Sequence, residues 1–150
     1  MEAMRKTPIL QPALDSADCN CNALQQAARQ ANQFYGRYLA QEGLRNGQFS
    51  ILSKLKRLGP LPISELAAIL AMDRTTMSRA VQPLERDKLV AIGPGDDGRA
   101  RVVRLTPAGE AKVQSASVRW REAQKDFEQA LGPEIAASLR ATLGRVVELG

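Results

Sequence analysis

At 150 residues with a formal net charge of +5 and no histidine, the chain is long enough to bury a core without staples. It lacks the residue on which Ser-His-Asp, Cys-His and most zinc chemistry rests. Two cysteines, Cys19 and Cys21, are too few and too close for a disulfide scaffold, and no stretch approaches the roughly 20 apolar residues of a membrane span or the apolar run of a secretory leader, so the expectation is a cytoplasmic, non-enzymatic protein with no cofactor and no membrane partner.

Residues 1–17, with Pro8 and Pro12, read as a flexible arm. From about Asp18, the apolar positions Leu24, Ala27, Ala28, Ala31, Phe34, Tyr35, Tyr38 and Leu39 recur at helical spacing and predict a long helix closed near Gly43. Asn46 is placed as the N-cap of a second helix, whose stripe of Phe49, Leu52, Leu55 and Leu58 stops at Gly59-Pro60. Ile63 to Leu70 predicts a short third helix. Asp73 then stands where an N-cap belongs, opening a fourth helix to about Asp87 with Met77, Ala80, Val81 and Leu84 as its buried stripe. Leu89 to Ile92 and Val102 to Leu105 flank "GPGDDGRA", a turn between two antiparallel strands. Thr106-Pro107 starts a fifth helix that Gly132-Pro133 breaks, and a last helix from Glu134 carries Ile135, Leu139, Leu143 and Val146 or Val147.

The charge is not spread evenly over these elements. Residues 45 to 104 hold eleven basic and six acidic side chains, while the segments on either side are each neutral. That is the distribution expected where the ends do structural work and the middle meets a polyanion. A helix, a short helix, a longer helix and a basic hairpin are also the order of a winged helix-turn-helix, in which one helix enters the major groove, a second braces it and a hairpin reaches a neighbouring groove. On the fourth helix, Thr75, Ser78, Arg79, Gln82 and Arg86 fall on one face at steps of three and four, opposite Met77, Val81 and Leu84. Arg79 offers a bidentate fork to guanine, and Gln82 suits adenine. Thr75, Thr76 and Ser78 are short hydroxyls suited to phosphate oxygens, with Arg74 at the start of the same helix.

The segments "LRNGQFSILSKLKRLGPLPISELAAIL", "MDRTTMSRAVQPLERDKLV" and "DGRARVVRLTPAGE", in that order and spacing, resemble the MarR family of bacterial transcription regulators from about residue 18 onward. The resemblance implies a mainly α fold with a small β-hairpin wing. Residues 45–106 would be a winged helix-turn-helix DNA-binding domain, and residues 18–44 and 107–150 a helical dimerisation region. It further implies a homodimer on a pseudo-palindromic operator of double-stranded DNA, and a small-molecule or redox effector that changes the spacing of the two lobes. Neither terminal helix can bury its stripe on so small a lobe alone, which agrees with dimerisation. Matching Asp97-Gly98-Arg99 to the family's wing motif puts Arg99 in the minor groove, with Asp97 bracing an arginine and Arg101 on a phosphate. Phe34, Tyr38, Phe49 and Trp120 have two readings, as core packing or, because they lie on the elements that border the effector pocket in the resembling family, as the lining of a site for a small ligand, aromatic or not.

Some positions depart from the family pattern. Pro83 removes the N–H that would bond the Arg79 carbonyl and should bend the fourth helix, which bears on Gln82 and Arg86. Lys88 stands where a glycine commonly closes this helix, so a left-handed cap there would be strained by roughly 1 kcal/mol. Pro62 occupies the usual hydroxyl cap of the third helix, leaving Ser64 as its phosphate candidate. For Cys19 and Cys21 three readings stand open: small buried packing residues, thiols in redox or effector contact, or thiolates sharing a metal with Asp15, Asp18 or a partner subunit; no metal site is assigned. The expected function is a DNA-binding repressor released by an effector. The alternatives are a thiol-based redox-sensing regulator, a winged-helix module that binds protein rather than DNA, and a thiol enzyme.

Overall fold

A computed structural model describes residues 19–150. Residues 1–17, expected to form an arm, and the candidate thiolate-site partners Asp15 and Asp18 lie outside the described residues. The elements are α1 (Asn20–Leu39), a single 3-10 turn (Ala40–Glu42), α2 (Asn46–Leu58), β1 (Leu61–Pro62), α3 (Ile63–Ile69), α4 (Arg74–Arg86), β2 (Val90–Pro94), β3 (Arg101–Leu105), α5 (Pro107–Leu131) and α6 (Pro133–Val147). The chain is thus mainly helical with a small antiparallel sheet, its six helices and its hairpin in the order the sequence predicts.

Two units divide the chain, one ending at Gln33 and the other running Phe34–Gly150. Of the first, the described residues are the N-terminal part of α1 and Cys19 before it.

The second unit has one hydrophobic core. Leu39 and Leu44 join Phe49, Ile51, Leu52 and Leu55 of α2, Leu66 of α3, Met77, Val81 and Leu84 of α4, Val90 and Val103 of the sheet, and Val113 and Ala116 of α5. Leu58 is 48% exposed and Ile51 takes its place. Seven residues apart, Ile51 and Leu58 share a face of α2, and the cover on that face ends before the last turn. The sheet order is β1-β3-β2. β3 pairs with β2 as the expected hairpin, Val90 opposite Leu105 and Ile92 opposite Val103. The two-residue β1, which no strand pattern announces, sets Leu61 opposite Val103 on the other edge.

Helix ends depend on single residues. Arg45, not Asn46, caps α2: the Arg45 amide donates to the Gln48 side chain at 2.9 Å, and Asn46 is already helical. α4 closes through Lys88, whose φ is 59°. Lys88 N–H donates to the Glu85 carbonyl and Leu89 N–H to the Leu84 carbonyl, both at 2.9 Å. That pair of bonds is the left-handed closure glycine normally provides. A lysine there carries the strain of its Cβ, so Lys88→Gly is expected to raise stability by about 1 kcal/mol, read as a gain of about 3 °C in Tm.

α5 packs against the 3-10 turn after α1 through Glu42, whose carboxylate accepts from Ser115 Oγ at 2.6 Å and whose carbonyl accepts from Lys112 Nζ at 3.0 Å. α6 is different in kind: Ala136 is its one buried residue, while Ile135 and Val147 are 60% and 64% exposed and Leu139 and Val146 are both 38% exposed. Among the described residues, no helix is long and apolar enough to cross a membrane.

Candidate nucleic-acid interface

The turn between α3 and α4 sets how α4 is presented. Ala71 has φ 52°, with its N–H on the Ala68 carbonyl at 3.1 Å and the Met72 N–H on the Ala67 carbonyl at 2.8 Å. This is the same closure as at Lys88, again without glycine. No Gly or Asn marks the spot, so no residue pattern announces this turn. Asp73 then caps α4 as expected: its carboxylate accepts from the Thr76 amide at 2.8 Å and the Thr76 hydroxyl at 2.7 Å. Those two bonds, the hydroxyl's foremost, hold the Asp73 carboxyl below its ordinary range. The Thr76 hydroxyl proton is therefore committed within the chain, and only its lone pairs remain for an outside donor. A ligand oxygen that needs a donated bond would have to look to the neighbouring hydroxyls, Thr75 and Ser78.

α4 buries Met77, Val81 and Leu84. Arg74, Thr75, Thr76, Arg79, Gln82 and Arg86 are exposed, and Ser78 is half-buried. The helix runs unbroken through Pro83 to Arg86, so Gln82 and Arg86 stay in helical phase with Arg79. α3 starts directly after Pro62, which makes no side-chain cap bond, and Ser64 is exposed in its first turn.

The wing is the hairpin of β2 and β3. Its tip is closed by Gly95 N–H on the Ala100 carbonyl at 2.7 Å and Gly98 N–H on the Gly95 carbonyl at 2.9 Å. Gly98, with φ 72°, takes a conformation that suits glycine. Asp97 braces Arg99 by its main chain: Oδ1 accepts from the Arg99 amide at 3.0 Å and the Ala100 amide at 3.1 Å. The Arg99 guanidinium takes no part in those bonds and stays exposed. The two amides hold the Asp97 carboxyl below the usual carboxylate range. Arg99 and Arg101 are both exposed.

Among the described residues, Arg74, Arg79, Arg86, Arg99 and Arg101 have no ion-pair partner. The ion pairs lie elsewhere: Lys56 with Glu110, Arg119 with Glu42 and Glu122, and Arg140 with Glu128. Glu85 and Asp87, which flank Arg86 in sequence, leave it unpaired. Five uncompensated arginines on one helix and one hairpin tip can each meet a phosphate or a base edge without first breaking a bond inside the protein.

The remaining expected sites fall into separate groups. Phe49 is buried and stacks on Trp120 with ring centroids 6.4 Å apart, inside or against the core. Phe34 and Tyr38 sit 5.7 Å apart, with Phe34 also edge-on to Phe127 at 5.5 Å. Tyr35 and Tyr38 donate their hydroxyls to Gln124 and Asp126 of α5. The structure thus gives the four aromatic residues as two clusters. Cys19 and Cys21 are free thiols, half-buried and exposed respectively. Among the described residues, the Cys21 sulfur accepts from the Gln25 side-chain amide at 3.5 Å, in the first turns of α1. Among the described residues, no group of three His, Cys, Asp or Glu is close enough to hold a metal ion.

Comparison with known proteins agrees with this geometry. The family model described as "MarR family" matches residues 44–94. The Mycobacterium tuberculosis transcriptional regulator MosR, solved in complex with DNA, is 36% identical, with a TM-score of 0.76 over 88% of this chain and 98% of that one. A probable transcriptional regulator from Pseudomonas aeruginosa is 29% identical, with a TM-score of 0.74 over 87% and 98% of the two chains. The uncharacterised helix-turn-helix regulator YwoH of Bacillus subtilis is 27% identical over 104 residues, 69% of this chain and 76% of YwoH.

Proposed function

This chain belongs to the MarR family of transcriptional regulators, and we propose that it acts as a homodimer that reads a pseudo-palindromic duplex near promoters and represses until an effector releases it. The observation that carries the DNA-reading part is the set of unpaired, exposed arginines on α4 and the wing. Arg79 is assigned to a base edge, supported by Gln82. Arg99 is assigned to the minor groove beside the wing tip. Arg74, Arg86 and Arg101 are assigned to phosphates, joined by the hydroxyls of Ser64, Thr75 and Ser78, with Thr76 at the same helix start.

The exposed apolar face of α6 supports the dimer. Ile135, Leu139, Val146 and Val147 form a stripe on a helix with a single buried residue, and a second copy supplies matching apolar surface by symmetry. In this reading the helices of residues 18–44 and 107–150 make the dimer, and residues 45–106 the DNA-binding lobe. The aromatic residues Phe34, Tyr38, Phe49 and Trp120 border the proposed effector site, where a small aromatic ligand is the proposed occupant. A second, redox reading is favoured by one observation: Cys21 is exposed and Cys19 accessible at the start of α1.

The test is binding to a duplex selected from a random pool by the purified protein. Arg79→Ala is expected to lose about 1–3 kcal/mol of affinity and to relax preference at one base position, while Arg101→Ala weakens all duplexes alike. A protein that selects no duplex from the pool is not a DNA reader. Repeating the titration after alkylation of the thiols tests the redox reading, which fails if affinity is unchanged by alkylation and by oxidant.

A further inference from the structure

Between the end of α4 and the start of α5, one side chain makes contacts in both directions. The Thr106 hydroxyl accepts from the Gly109 amide at 3.0 Å, which is the N-cap bond of α5. The same hydroxyl donates to the carbonyl of Lys88 at 2.6 Å, and the Thr106 amide donates to the carbonyl of Leu89 at 3.1 Å. Lys88 and Leu89 are the two residues that close α4, through the bonds to Glu85 and Leu84 described above. Opposite them, Gly109 is buried and lies so near that a methyl group built on its Cα would overlap the Leu89 carbonyl oxygen. The first turn of α5 and the exit of α4 are therefore in main-chain contact, with no flexible side chain between them to absorb a change in angle.

We propose that Thr106 is a positioning residue for DNA reading: its hydroxyl fixes the exit of α4 to the first turn of α5, so that the orientation of α4 follows α5. This rests on the reading of α4 as the DNA-reading helix. An N-cap needs only an acceptor; the donated bond to Lys88 is an additional connection that capping does not require. It satisfies the carbonyl of a residue whose left-handed backbone is already strained, and it couples that residue to a helix of 25 residues. A change in the tilt of α5 is then carried to α4 without passing through the core side chains.

The experiment uses three variants of the full chain, each measured well below its own Tm. The probes are a duplex selected by the wild-type protein and a scrambled duplex of the same length at the same salt. Thr106→Ser keeps both hydroxyl bonds. Thr106→Val keeps the shape and loses both. Thr106→Asp keeps the acceptor that caps α5 and loses the donor to Lys88, which provides a folded test if the valine variant is unstable. The expected result is a fall of about tenfold in the ratio of selected to scrambled affinity for Val and Asp, with Ser within about twofold of wild type. Using the ratio cancels a general effect of the added Asp charge. If Val and Asp keep the wild-type ratio while Tm falls, Thr106 is only a cap and the proposal is overturned. The same holds if Ser loses as much as Val. A wild-type protein that does not distinguish the two duplexes overturns the DNA reading itself.

Discussion

Raising the salt from about 50 to 200 mM is expected to lower the affinity of the proposed dimer for duplex DNA about a thousandfold. Arg74, Arg86 and Arg101 of each protomer are the proposed phosphate contacts, which makes about six per dimer. Each releases roughly 0.9 of a counterion, giving a slope near −5 for log affinity against log salt. No internal ion pair compensates these guanidinium groups, so the loss is not offset by bonds re-formed within the protein. A titration of labelled duplex by fluorescence anisotropy across that salt range measures the slope directly. A winged-helix module that binds protein partners instead would show no duplex affinity to screen, and a slope near zero would remove the DNA reading.

The largest expected effect on stability is at Gly109. It sits in the first turn of α5 with its amide on the Thr106 hydroxyl, and the space where a Cβ would go is filled by the Leu89 carbonyl oxygen rather than by a mobile side chain. Helix propensity alone predicts that Gly109→Ala stabilises, by nearly 1 kcal/mol in a helix interior. The overlap reverses the sign. Accommodating the methyl group requires α5 to move away from the exit of α4, which strains the Thr106 bonds to Lys88 and Leu89. The expected cost is about 3 kcal/mol, the upper part of the range for overpacking, or a fall of about 10 °C in Tm. Calorimetry of the purified variant checks this. A variant as stable as wild type would mean that the close approach is relaxed in solution.

The element order was readable because each boundary carries its own chemical mark: Asp73 and Thr106 cap helices, Gly59 and Gly132 end them, and Gly98 turns the wing. Where the mark is missing, the sequence misleads. Ala71 and Lys88 adopt left-handed backbones that a β-carbon disfavours, and only the surrounding chain enforces them. Arg45 caps α2 through the Gln48 side chain bonding its amide, so the better capping residue, Asn46, lies one position inside the helix. At the proposed interface, residue type and helical phase made the exposed face of α4 legible. What could not be read was the use of each polar atom. Thr76 gives its proton to Asp73, and Asp97 accepts from backbone amides rather than from a guanidinium. These bonds depend on turn geometry that single-residue patterns do not encode. The aromatic positions were legible as apolar but not as two clusters, since partners such as Phe34 and Phe127 are far apart in sequence.

The way the wing tip is built has an evolutionary consequence. Since Asp97 grips the amides at positions 99 and 100, any residue other than proline at position 99 leaves the loop's own framework intact. The shape of the hairpin and the chemistry at its point are thus written in different residues. Successive exchanges at position 99 can change the side chain offered at the proposed groove contact while the scaffold that delivers it is inherited unchanged.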